Sequence, residues 1–153
     1  MDYLHPSKSQ LFEVVFKNEP MFIEGDPRRV ERILRNLITN AFDHSEGKNV
    51  RVTVTDSEDE VSVGVRDYGL GFTQEESIHL FDRFWRSDPS RARSSGGTGL
   101  GLSIALEDAK LHQGHLLAWG QKNNGAHFVL TLPKRHGTAV QTFPIDVIPG
   151  DLI

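Results

Sequence analysis

From Val30 to Phe42 the apolar residues Val30, Ile33, Leu34, Leu37, Ile38, Ala41 and Phe42 return every three or four positions. That spacing puts them on one stripe of an α-helix. Asp26-Pro27 predicts where it starts, with an acid at the N-cap and proline at the first helical position. Gly47 predicts its end. The period then drops to two: Val50, Val52 and Val54 alternate with polar residues, and so do Val61, Val63 and Val65. The acidic link Asp56-Ser57-Glu58-Asp59-Glu60 joins them as a hairpin. Thr73 and Glu76 form a capping box for a short helix. Leu100 to His112 is again helical, and His115–Trp119 and Ala126–Leu132 predict a closing pair of strands. Leu11–Phe16 and Met21–Ile23 have the composition of short strands. Residues 86–98, rich in Arg, Ser and Gly, have no period and read as a mobile loop. No internal repeat is present. Strands and helices mix without strict β-α-β alternation, so the expected class is α+β, a mixed sheet with helices packed on one face. The expected organisation is a linker or terminal remnant at 1–10, one domain at 11–136, and a loosely attached C-terminal tail at 137–153.

Composition changes this picture only slightly. A chain of 153 residues with 37% hydrophobic and 25% charged residues fits one globular domain with a real core. It contains no cysteine, which excludes disulfides and thiolate metal sites. No apolar run approaches the roughly 20 residues of a membrane span, and no signal peptide is visible. A net charge of -4 argues against a general nucleic-acid binder. The charge is uneven, because Arg83, Arg86, Arg91 and Arg93 crowd one loop with only Asp88 against them. Such a loop suits a small anionic ligand or is simply a solvated surface.

Three short stretches carry candidate chemistry. Asn36 and Asn40, four apart, lie together at the border of the first helix's apolar stripe, with Arg29 and Asp43 on the same flank and His44 closer to the stripe. They read either as edge polar groups bonded to loops or as carbonyl oxygens offered to a hard cation such as Mg²⁺. Asp67-Tyr68-Gly69-Leu70-Gly71 follows an apolar strand. A G-x-G triplet is expected about 0.7 times by chance in a chain of this size, so alone it says little. Functionally, Asp67 is a candidate buried acceptor for the 6-amino group of adenine, where guanine offers only an opposing oxygen. The stretch SSGGTGLGLSIA at 94–105 sets Gly96, Gly97, Gly99 and Gly101 just before a helix. Glycines there cost helix stability, but they bring free N–H groups to a helix N-terminus, which is an anion site. Phe81-x-x-Phe84 by itself reads as core.

In this order and spacing, Asn36-x-x-x-Asn40, D-x-G-x-G at 67, F-x-x-F at 81 and G-x-G-x-G at 97 resemble the N, G1, F and G2 boxes of sensor histidine kinases. The resemblance covers about residues 11 to 133. The wording RRVERILRNLITNAFDHSEGK with FDRFWRSDPSRARSSGGTGLGLSIALEDAKLHQG is similar to actinobacterial members. The resemblance implies the Bergerat (GHKL/HATPase) ATP-binding fold, with ATP and Mg²⁺ as ligands. Asn40 is then the Mg²⁺ ligand and Asn36 helps hold the site, the two forming the catalytic pair. Asp67 receives the adenine amine, Gly69 and Gly71 shape its pocket, and residues 72–96 form a lid. Gly97, Thr98, Gly99, Leu100 and Gly101 line the phosphates, with Arg91 or Arg93 reaching in from the lid. Asp43 and His44 complete the expected nucleotide-contacting set.

The implied partners are a dimerisation and histidine-phosphotransfer domain of the same kinase and a response regulator. No nucleic-acid partner is implied, and the chain itself is expected to be monomeric. It is expected on the cytoplasmic side of a longer protein held in the plasma membrane. Two features depart from the family pattern. Asp43 stands where Lys or Arg is usual, with Arg29 a candidate to compensate. None of the seven histidines has the acceptor context, a His-Glu or His-Asp followed by a basic residue and proline, so no autophosphorylation of this chain is expected. Alternatives of the same fold are a serine kinase or water-using ATPase, and a docking module that has lost ATP.

Overall fold

The computed structural model describes residues 10–17, 19–85 and 99–152. The elements in chain order are β1 (Phe12–Val15), α1 (Pro27–His44), β2 (Val50–Asp56), β3 (Glu60–Asp67), α2 (Gln74–Ser77), α3 (Gly101–Leu111), β4 (His115–Gln121) and β5 (Gly125–Pro133). One five-stranded sheet has the order β1-β2-β3-β5-β4. Only the β1–β2 pair is parallel. The sheet is therefore mixed, as expected, and α1 and α3 pack on one face of it.

Each helix start has a local cause. The Asp26 side chain accepts from the N–H groups of Arg28 and Arg29 at 3.0 and 3.4 Å, and Pro27 loses nothing at a position whose N–H has no helical partner. Thr73 and Glu76 close the capping box on α2. The stripe of α1 buries Ile33, Leu37 and Ala41 against Val50, Val52 and Val65 of the sheet and Ala105 and Ala109 of α3. Phe128, Leu130 and Leu132 of β5 complete this core, and Phe81 sets its ring edge-on to Phe128 at 6.3 Å. Burying a side chain of this size contributes about 1.5–3 kcal/mol, so these residues supply much of the fold's driving force.

The two helices are joined by a polar clamp. Arg32 forks onto the buried Asp108 carboxylate with two bonds of 2.8 Å, and Arg29 adds a third at 2.9 Å. The Arg32 bond, with help from Arg29, holds the Asp108 carboxyl below the usual carboxylate range against the cost of burial. His112, which ends α3, donates from Nδ1 to the Asp108 carbonyl and accepts the Asp26 N–H on Nε2. That fixes a neutral tautomer and ties the start of α1 to the end of α3.

Two expectations need correction. Met21–Ile23 forms no strand. Ile23 instead packs on the core, and the Glu24 N–H reaches the Lys134 carbonyl beyond β5. The tail is not loosely attached either. It runs across the sheet face opposite the helices, where Gln141 and Thr142 bond Glu60, Val147 bonds His127, and Asp151 bonds Arg66 and Tyr68. The alternation of β3 marks Glu60, Ser62 and Arg66 for solvent, yet all three are buried beneath this strap.

Candidate functional site

The candidate residues lie along one flank of α1 and around both its neighbours. Asn36, Asn40, Asp43 and His44 are all half-buried. Asn36 faces the start of α3: a Cβ built on Gly101 would stand 3.6 Å from the Asn36 amide. Two turns later, His44 meets the loop after β3, where its carbonyl accepts the Leu70 N–H at 3.1 Å. Its ring Nδ1 donates to the Asn40 carbonyl at 2.9 Å. Along α1 the order is thus the α3 N-terminus at Asn36, Asn40 one turn on, and the β3 loop at His44. The first and last are eight residues apart, or about 12 Å along the axis.

Asp67 ends β3 in phase with Val63 and Val65, so its carboxylate faces the helix layer and is only 1% exposed. The Gly69 N–H donates to Oδ1 at 3.0 Å. Burial pushes the Asp67 carboxyl up from 3.8 to about 6, against the opposing pull of Gly69, Arg66 and Ala126. A carboxylate has about four acceptor positions, so capacity remains for an amine donor.

The glycines divide into two kinds. A Cβ on Gly69 would come within 1.8 Å of the His44 carbonyl oxygen. On Gly71, at φ +64°, it would come within 2.0 Å of the Gln121 carbonyl oxygen. On Gly99, at φ +77°, it would meet the Phe84 Cα at 2.6 Å. These three are fixed by the protein's own backbone. Gly101 is different: its added Cβ would make only ordinary contact with Asn36. Among the described residues there is room there, at the first residue of a helix whose N-cap is the apolar Leu100. An anion suits that place, since the first N–H groups of a helix lack internal partners.

Three expected features are altered or lie elsewhere. Arg29 does not compensate Asp43: it is held by Asp108 and lies fourteen residues, or about 21 Å of helix, away. Phe81 is core but Phe84 is 70% exposed, so the F-x-x-F pair is not a core pair. Arg91, Arg93, Gly97 and Thr98, and most of the arginine-rich loop, lie outside the described residues. Among the described residues no group of three or more His, Cys, Asp or Glu is placed to hold a metal. No described helix is long and apolar enough to cross a membrane.

Residues 25–136 match the family model described as histidine kinase-, DNA gyrase B- and HSP90-like ATPase. The chain belongs to this family. Relatives found within it include sensor histidine kinases. The chain is 58% identical over 131 residues to the sensor histidine kinase MtrB of Mycobacterium leprae, covering 86% of this chain and 23% of that one. It thus spans about a quarter of the length of the curated relatives it matches. The structure of a mycobacterial sensor histidine kinase, MprB, superposes with a TM-score of 0.70 at 28% identity, covering 84% of each chain. Full-length ShkA, solved in complex with AMPPNP, gives 0.67 at 26% identity over 84% of this chain and 27% of that one. The mixed sheet with helices on one face is the fold of histidine kinase ATPase domains. The domain carries the fold of that ATPase family.

Sequence reasoning missed Arg66. It sits on the strand face that alternation assigns to solvent, yet it is 6% exposed and bonds the Asp67 carbonyl. The available signal was an arginine directly before D-x-G-x-G in a strand otherwise polar on that face.

Proposed function

We propose that the chain binds Mg-ATP and donates its γ-phosphate to a histidine on a separate dimerisation domain, for relay to a response regulator. The observation that carries this reading is the order along α1. The β3 loop that follows the buried acceptor Asp67 meets α1 at His44, and the start of α3 lies beside Asn36, eight residues or about 12 Å back along the α1 axis. Asp67 accepts the adenine amine, and its burial penalises a guanine carbonyl. The N–H groups at Gly101 face the phosphates. Asn40 offers its amide oxygen to Mg²⁺, and Asn36 orients the phosphates beside it. Mg²⁺, when bound, supplies charge neutralisation on the phosphate oxygens.

Asn36 also supports kinase over hydrolase. An amide does not take a proton from water at neutral pH, so a neighbouring water stays unactivated and the phosphoryl group is kept for a protein acceptor. The chain offers positioning and electrostatics alone, with the acceptor supplied in trans. The catalytic domain works on the cytoplasmic side of a longer membrane sensor.

The test is a titration with ATP, with and without Mg²⁺, with GTP as control, followed by Trp85 fluorescence or calorimetry. Mg²⁺-dependent ATP binding with GTP excluded is expected. A histidine-bearing helical hairpin added next should become phosphorylated while the chain alone does not. No binding at millimolar ATP would sink the reading and favour a docking module. Asp43 is the observation behind that second reading, since a carboxylate beside a triphosphate is repulsive. If Asp43 faces the phosphates, Asp43→Lys tightens ATP binding about tenfold, a loss of repulsion of roughly 1.4 kcal/mol. Unchanged affinity removes Asp43 from the site.

A further inference from the structure

The strap that crosses the open face of the sheet ends at the strand that carries Asp67. Arg66 lies on the strap side of β3 and Asp67 on the helix side, as adjacent residues must. The Arg66 guanidinium sits over the Tyr68 ring at 4.3 Å and the Trp119 ring at 5.2 Å. Its Nη1 donates to three carbonyls: that of Asp67, that of Asn124 at 2.9 Å and that of Ala126 at 3.4 Å. It therefore staples the end of β3 to the turn between β4 and β5. The same two segments are laced elsewhere, since the Asn123 N–H reaches the Leu70 carbonyl at 2.8 Å and Gly125 packs its Cα on the Asp67 carbonyl.

A guanidinium 6% exposed needs a counter-charge to stay buried. Among the described residues the carboxylate bonded to it is Asp151, whose Oδ1 lies 3.3 Å from Nε. Its Oδ2 accepts the Tyr68 hydroxyl, so one carboxylate holds both the guanidinium and the ring beneath it. Without Asp151, Arg66 gains by swinging to solvent, and the three carbonyls it holds are released together. One of these belongs to Asp67 itself, whose backbone sets the direction of its carboxylate.

We propose that Asp151, acting through Arg66, is a positioning residue for adenine recognition by Asp67. The C-terminal strap is then part of the nucleotide site although it lies on the other face of the sheet. This rests on the reading of Asp67 as the adenine acceptor.

The Gly69 amide, bonded to Asp67 Oδ1, reports on that alignment without any nucleotide. In Asp151→Ala the expected result is a five- to tenfold rise in the ATP dissociation constant and a narrower ATP-to-GTP preference. Hydrogen exchange of the Gly69 amide should speed up by at least as much, with the Val63 amide unchanged. Asp151→Asn keeps an acceptor for Tyr68 and loses only the charge, so it should fall between wild type and alanine and serves if the alanine variant folds poorly. A merely structural tail would lower Tm and leave both the Gly69 exchange and the affinity untouched below the transition. Unchanged Gly69 exchange overturns the proposal, and so does unchanged affinity where the wild type binds ATP. Faster Gly69 exchange in a chain whose wild type takes no ATP would keep the positioning and overturn the nucleotide reading instead.

Discussion

At the scale of the residue, the burial of Asp67 costs stability at neutral pH, which the proposed adenine recognition would explain. Its carboxyl is raised by burial from 3.8 to about 6. A carboxyl whose folded value is raised favours the folded state fully below the unfolded value. That contribution is lost as pH rises through about 6. Two units correspond to about 3 kcal/mol at most, and less with relaxation. Asp67→Asn keeps an oxygen for the Gly69 N–H and carries no charge. Thermal melts should show it more stable than wild type at pH 7.5, with the gap closing by pH 4. ATP binding should weaken by a factor of about 100, the loss of a charge-assisted buried bond. A lower Tm at pH 7.5 would mean that the ionised carboxylate is held by bonds stronger than its desolvation cost. In wild type, ATP affinity should fall as pH drops through about 6. The glycines teach a related lesson. In the sequence, Gly69, Gly71, Gly99 and Gly101 look alike, because spacing records where glycine occurs and not what its missing Cβ would strike. In the structure Gly69→Ala collides with a backbone carbonyl and should cost at least about 2 kcal/mol. Gly101→Ala meets no clash among the described residues and gains helix propensity of up to about 1 kcal/mol. It should raise Tm slightly while weakening ATP binding, because the methyl occupies space at the proposed phosphate position. Equal or tighter ATP binding in Gly101→Ala would place the phosphates elsewhere.

At the scale of the element, the parts legible in the sequence were those with a strong period or a local cap. The stripe of α1, the paired valines of β2 and β3, Asp26-Pro27 and the Thr73–Glu76 box each state their structure within a few residues. Met21–Ile23 misled because three apolar residues fit a strand or a packed coil equally well. The α1–α3 clamp was invisible because Asp108 and Arg32 lie 76 positions apart. Nothing local marks an acid on the polar side of a helix as buried. The candidate site residues on α1 and β3 stand out in the sequence because their boxes are contiguous, whereas the burial of Arg66 was hidden by its own alternation. Asp108→Asn tests the clamp. It keeps the shape but removes the charge that holds both Arg29 and Arg32. Tm should fall by roughly 5 °C at pH 7. The depressed carboxyl contributes stability above its unfolded value and loses it as pH falls through its folded value, so wild type and variant should converge at strongly acidic pH. A constant difference across that range would assign the effect to packing.

At the scale of the whole molecule, the sheet is a plate covered on both faces, by helices on one and by the strap on the other. The strap side has its own charge balance. Burial works against the Glu60 carboxyl, yet the Gln141 N–H and the Thr142 and Ser57 hydroxyls hold it below the ordinary range. Desolvation beneath the strap lowers His127, which donates from Nδ1 to the Val147 carbonyl. A histidine whose folded value is depressed stabilises the fold while neutral. That contribution is lost as pH falls below its unfolded value near 6.5, where only the unfolded chain takes up the proton. Glu60 and Asp151, both depressed, keep their contributions until the carboxylate range is reached. Removing residues 137–153 exposes Glu60 and His127, takes Asp151 away from Arg66, and should lower Tm by roughly 10 °C at pH 7.5 through the lost buried bonds. Asp67 is coupled to the strap through Arg66, so both chains are compared in the Asp67→Asn background, which takes the Asp67 term out of their difference. The Tm advantage of the full chain over the shortened one should therefore shrink between pH 7.5 and pH 5, as the His127 term fades, and then shrink again below pH 4. An advantage that stays constant from pH 7.5 to pH 5 would show that His127 is not held neutral by the strap. The His127→Phe variant should remove the first step and leave the second, because it keeps the ring volume and loses the titrating group.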